Sequence, residues 1–140
     1  MAKIFKKIIV LCLVCCFCVS MLASCGVTVK SSIKEFINEF FALIVEENYE
    51  EAEKYLHPSL PADLRSYIKD IEAAEKINFY RGIKIEKYTD YSVTDYDPAR
   101  NGTVYKVEML TYVGLIQVQF KIEILENGSG LGICAMNVNA

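Results

Sequence analysis

The chain of 140 residues contains one histidine, His57, and neither an HExxH nor a GxSxG motif. A zinc site or a Ser-His-Asp triad would have to be built around that single ring. Excess positive charge is lacking too, with 15 Lys plus Arg against 18 Asp plus Glu. Three of those lysines (Lys3, Lys6 and Lys7) precede the first apolar run, which leaves 12 basic against 18 acidic side chains beyond it. That balance excludes the basic footprint of a nucleic-acid binder. Disorder is excluded as well, because nine tyrosines, seven phenylalanines and a 53% hydrophobic share can offset the ordering entropy of one domain.

What is present begins at the N-terminus. The basic segment is followed by an uncharged run from Ile8 to Leu22 and then by the small residues Ala23 and Ser24. This is the three-part pattern of an export signal, and the run is short of the ~20 residues that a spanning helix needs. Leu22-Ala23-Ser24-Cys25 resembles the lipobox of bacterial lipoproteins. The resemblance implies cleavage between Ser24 and Cys25, with a diacylglyceryl group and further acyl chain carried on Cys25. Small side chains at Ala23 and Ser24 let a peptidase approach the backbone. Two acyl chains, at about 0.8 kcal/mol per buried methylene, anchor a domain stably. The expected address is therefore extracytoplasmic, on a bacterial cell membrane or outer membrane, and Gly26 in place of Asp leans toward the outer one.

Cysteine arithmetic follows from that processing. Cys12, Cys15, Cys16 and Cys18 lie in the apolar run, where they act as small hydrophobes despite their CxxC spacings. After cleavage only Cys25, as a thioether, and Cys134 remain. No disulfide is expected, and Cys134 is expected in the core. The organisation is a signal peptide over 1–24, a lipidated cysteine and short tether over 25–30, and one domain over 31–140.

Within that domain helices come first. Ser32 and Glu35 have capping-box spacing, and Ile33, Phe36, Ile37, Phe40, Phe41, Ile44 and Val45 recur at helical period. Asn48 interrupts, a second stretch runs from Tyr49 toward His57-Pro58, and a third is predicted from Pro61 to about Lys76. From Phe79 the period becomes two. Ile83, Ile85, Tyr91 and Val93 share a face in the first strand. Tyr105, Val107, Met109 and Val113 do so in the second. Ile116, Val118, Phe120, Ile122 and Ile124 follow in the third, and Cys134, Met136 and Val138 in the last. Asn101-Gly102 and Asn127-Gly128 suit tight turns with positive φ, and Gly114 suits a further bend. Helices packed on one face of an antiparallel sheet, an α+β arrangement, bury both apolar surfaces.

The element order and the phrase Asn48-Tyr49-Glu50-Glu51-Ala52-Glu53-Lys54-Tyr55-Leu56-His57-Pro58 resemble the nuclear transport factor 2-like superfamily, above all its small bacterial lipoproteins. The resemblance covers about Ser31 to Asn139. It implies a curved sheet forming a cone, often with a pocket or a dimer interface.

Candidate pocket residues are Tyr105, Met109 and Phe120, which would face the helices, together with His57. Plain core packing is the simpler role for the first three, and a helix-end structural role for His57. Asp90, Asp95 and Asp97 near Pro98 lack the glycine and closing glutamate of an EF-hand and suit a solvated turn. Tyr80, Tyr88, Leu110 and Tyr112 fall on the phase opposite the core, among Lys84, Glu86, Lys106 and Glu108, as an interface would. The expectation is a membrane-anchored, noncatalytic domain that binds a ligand or an envelope protein, or pairs with a second copy, without a cofactor beyond its lipid. A cone-type isomerase or dehydratase is the alternative, and a structural self-association module the third class.

Overall fold

The computed structural model describes residues 27–60 and 63–140. The signal segment, the Ser24–Cys25 cleavage position and Pro61 lie outside the described residues. Helix α1 covers Ser31–Val45, α2 covers Tyr49–Ala52 and continues as a 3-10 turn over Glu53–Tyr55, and α3 covers Leu64–Glu75. Four strands follow: β1 Ile83–Asp97, β2 Gly102–Val113, β3 Ile116–Asn127 and β4 Gly130–Asn139. They form an antiparallel meander in the order β1-β2-β3-β4. The protein is thus α+β, with helices on one face of an open four-stranded sheet.

Local chemistry explains most helix ends, with two corrections. Lys30, not a serine, occupies the N-cap of α1 and makes no side-chain cap, so the Ser32/Glu35 capping box is not formed. Asn48 does separate α1 from α2: Glu47 takes φ 55°, and the Asn48 carboxamide accepts from Glu51 N. Asp63 caps α3 by accepting from Ser66 N at 3.1 Å, so this helix begins at Leu64 rather than at Pro61. Lys76, in the left-handed region at φ 54°, ends it.

The chain then makes a 3-10 turn over Phe79–Arg81 instead of entering a strand, and Gly82 at φ 96° redirects it into β1. β2 and β3 pair without a register shift from Gly102↔Asn127 to Val113↔Ile116. β1 is different, because extra residues at Glu86, at Thr89 and between Thr94 and Asp97 displace its pairing with β2 three times. Each bulge adds a residue and changes which side chains face inward. Tyr88 therefore pairs with Met109 and packs against the core, contrary to its expected outer phase.

The turns also depart from expectation. Of the two Asn-Gly pairs, only Asn101 has positive φ, and Gly130 carries the left-handed conformation that follows Asn127-Gly128-Ser129. Gly102 is needed for another reason: a Cβ there would lie 2.4 Å from the Glu126 carbonyl oxygen. Gly114, at φ 61°, makes the β2–β3 turn and leaves Leu115 97% exposed. Ile116, expected inside, is at that hairpin tip and open to solvent.

The core lies between the helices and the inner sheet face. Ile33, Ile37, Phe40, Phe41 and Ile44 of α1 meet Met109, Phe120, Ile122 and Ile124 of the sheet. Phe120 is central, with the rings of Phe41 and Phe79 at centroid distances of 4.9 and 6.0 Å. The gap bounded by Phe40, Phe41, Ile68, Phe79 and Phe120 has no room for a water molecule. Helix α3 is tied to β4 by the Tyr67 hydroxyl, which donates to the Met136 carbonyl.

Candidate functional site

The sequence-predicted pocket residues do not meet. Tyr105, Met109 and Phe120 are buried core side chains, and His57 is at another place, beside β4. Tyr105 donates its hydroxyl to Glu126 at 2.7 Å, while Lys30 stands 5.7 Å from its ring centroid. That hydrogen bond, with burial, pushes the Tyr105 phenol up to about 12. Met109 and Phe120 contribute shape alone.

His57 reaches the sheet through backbone chemistry. Leu56 forms a short parallel bridge with Ile133, and His57 N donates to the Ile133 carbonyl at 2.9 Å. Gly132 makes this approach feasible, since a Cβ would sit 2.4 Å from His57 N. The imidazole is buried and spans from its own segment to the β3–β4 turn.

Its protonation pattern follows from its partners. Ser59 N–H donates to Nδ1 at 3.1 Å, so Nδ1 is an acceptor and the ring proton is on Nε2. Nε2–H donates to Asn127 Oδ1 at 3.1 Å. The same Oδ1 accepts from Ser129 N at 2.8 Å, and Asn127 Nδ2 donates to the Arg100 carbonyl at 3.2 Å. Three separate segments, 57–60, 97–101 and 127–130, are thereby joined at one end of the sheet.

A cleft of about 320 Å³ opens there among His57, Ser59, Arg100, Leu125, Asn127 and Cys134. Arg100 donates to Glu123 at 2.6 Å and stands 3.8 Å from Asp97, whose carboxylate also accepts from Ala99 N as a turn-former. Burial alone would push the Glu123 carboxyl up. The hydrogen bonds and charges of Arg100 and Lys106 outweigh it and hold Glu123 below its ordinary value.

Cys134 is not a core residue. It is the extra residue of a bulge between the pairs Glu123↔Ala135 and Ile124↔Ile133, which turns its thiol away from Met136 and toward Arg100 Nη1 at 3.6 Å. Burial pushes this thiol up, against the charge of Arg100, so it is not an activated thiolate.

Ser59 Oγ lies 2.7 Å from His57 Nδ1, and the order Ser59, His57, Asn127 superficially traces a nucleophile, base and orienting group. The Nδ1 lone pair is shared, accepting from the Ser59 backbone N–H at 3.1 Å and from the Ser59 hydroxyl, which at 2.7 Å from an unprotonated ring nitrogen is the donor. The cleft can offer the exposed Ser59 hydroxyl and the outward part of the Arg100 guanidinium to a small polar group.

The expected interface residues are dispersed. Leu110 and Tyr112 are on the outer sheet face and half-buried, with Tyr112 accepting from Gln117 at 3.3 Å. Tyr80 is in the 3-10 turn and 60% exposed, while Tyr88 faces α1, where Lys34 stands 5.2 Å from its ring centroid. Sequence reasoning missed Ser59, Arg100, Asn127 and Cys134 as a group. The only local signals were the turn residues around them. Comparison with protein-family models, with curated proteins and with solved structures finds no match to this chain.

Proposed function

We propose that this chain is a lipid-anchored, noncatalytic binding domain of the bacterial envelope, held to the membrane through Cys25 and meeting its ligand at the cleft beside His57. The observation that carries the noncatalytic reading is the filled interior. Both His57 ring nitrogens are besides engaged within the chain, Nδ1 by Ser59 and Nε2–H by Asn127, which holds the 57–60 segment on the sheet. The filled interior counts against a cone-type enzyme, because isomerase or dehydratase chemistry would need a cavity where Phe40, Phe79 and Phe120 pack. Element order, with three helical segments ahead of four antiparallel strands, supports placement among the nuclear transport factor 2-like cones.

The anchor rests on the residues Leu22-Ala23-Ser24-Cys25 after an apolar run. In the full chain, Cys25→Ser is expected to abolish palmitate incorporation and to impair cleavage, whereas Cys134→Ser leaves both unchanged. Labelling that persists in Cys25→Ser would overturn the anchor. A fluorophosphonate probe tests the second half, since it reacts with activated serines. No Ser59-dependent labelling is expected, and labelling that disappears in Ser59→Ala would establish catalysis instead.

A further inference from the structure

Helix α1 runs along the sheet from one end toward the other. Where it starts, Lys30 stands 5.7 Å from the ring centroid of Tyr105, close to the Gly102 end of β2. Where it finishes, Val45 shares a groove with Gly82 and Ile83, and Ile83 pairs with Val113 beside the Gly114 turn. The chain therefore enters the domain at the end that carries the β1–β2 and β3–β4 turns. Val29 is already fixed in the core there. Cys25 is four residues earlier in the sequence, a reach of at most about 14 Å.

The same end leaves apolar side chains uncovered. Val93 pairs with Tyr105, whose hydroxyl donates to Glu126, and Glu126 pairs with Leu131. This row crosses all four strands on the helix-facing side, about 15 Å in width. It lies at the margin of the helical cover, so Val93 and Leu131 stay 42% and 38% exposed. Val27, 36% exposed, precedes Val29, and Tyr96, 60% exposed, is near the β1–β2 turn. The charges among them are mixed, with Lys30 and Lys34 over the tyrosine rings and Glu126 and Asp95 nearby.

We infer that this end of the domain rests on the bilayer that holds Cys25, with Val27, Val93 and Leu131 at the boundary of headgroups and acyl chains and Tyr96 at headgroup level. This orientation rests on the proposed lipidation of Cys25. Single apolar side chains scattered over a surface need no partner, but these gather around the point from which the chain leaves for its anchor. The other exposed apolar group, Leu115 with Tyr80, is at the far end of β2, about 30 Å from Tyr105 and farther than the tether extends. Arg100 and Asn127 belong to the near end. The anchored domain thus holds the His57 cleft close to the lipid surface and the Leu115 hairpin away from it.

The chain contains no tryptophan, so a single introduced one reports its own surroundings. The lipidated protein, extracted from membranes and returned to phosphatidylcholine vesicles with bromine on the upper acyl carbons, would carry Val93→Trp, Leu131→Trp or Leu115→Trp in turn. Bromine quenches indole emission only on close approach. The first two variants are expected to lose most of their emission and Leu115→Trp to keep it, with circular dichroism to confirm folding. Flotation with the vesicles reports the anchor separately. A protein that does not float overturns the lipidation of Cys25, and the orientation with it. A folded protein that floats, but in which either Val93→Trp or Leu131→Trp is no dimmer than Leu115→Trp, keeps its anchor and overturns the orientation alone.

Discussion

Gly132 and the backbone of His57 lie so close that no side chain fits between them, and a Cβ on Gly132 would stand 2.6 Å from His57 Cα. This contact brings the chain after α2 onto β4 and lets the imidazole reach Asn127. Covering β4 and building the cleft are therefore one event. Gly132→Ala should force the 56–58 segment off the sheet edge, at a cost of about 1–3 kcal/mol. Urea denaturation would measure the loss, and faster amide exchange at His57 N would locate it.

Phe120 anchors the aromatic cluster between α1 and the sheet, in contact with Phe41 and Phe79. Phe120→Ala should destabilise the fold by about 3–5 kcal/mol, because the gap around it is already too small for water and its neighbours belong to three different elements. Phe120→Leu should cost less than half as much. Equal losses in the two variants would show that the surrounding aromatic residues do not hold their positions.

Tyr105 and Glu126 give the fold an alkaline limit. The Tyr105 phenol is raised in the folded state from an ordinary 10.0 to about 12, so the folded chain keeps a proton that the unfolded chain has released. This contribution is fully present below pH 10.0 and is lost as pH rises toward about 12. Tyr55, Tyr67 and Tyr88 are raised in the same direction and add to it. Tyr105→Phe should flatten the decline in stability over this window, as measured by denaturation at a series of pH values. An unchanged slope would place the effect on the other tyrosines.

Glu123 sets the opposite limit. Its carboxyl is held below the ordinary 4.5 by Arg100 and Lys106, net of burial. The contribution is present above pH 4.5 and is lost as pH falls through the lower folded value. Glu123→Gln should reduce the acid sensitivity of folding while loosening Arg100 over the cleft. Acid denaturation profiles of the two proteins that superimpose would mean that Arg100 does not stabilise the ionised carboxyl.

Much of the architecture was legible because periodicity reports burial directly. The α1 stripe from Ile33 to Ile44 and the alternation of β3 from Val118 to Ile124 occur where the sequence puts them. β1 was misread at Tyr88, since a bulge is an extra residue in a pairing and leaves no mark on the strand that contains it. Cys134 was misplaced for the same reason. The cleft was the least legible part. His57, Arg100 and Asn127 come from three segments separated by 27 to 70 residues, and only their hydrogen bonds bring them together.

By itself the sequence determined the kinds of element, their order, and which face of most of them is apolar, because those depend on side-chain spacing along one segment. The proposed export and lipidation signal, Leu22-Ala23-Ser24-Cys25 after an apolar run, is likewise a linear string. The tertiary structure alone decided that the helices and the inner sheet face close on one another around Phe120, that His57 is hydrogen-bonded across to Asn127, and that β1 has a strand on one side only among the described residues. Each of those depends on what a distant segment brings within hydrogen-bonding or van der Waals reach, a relation that local spacing does not encode.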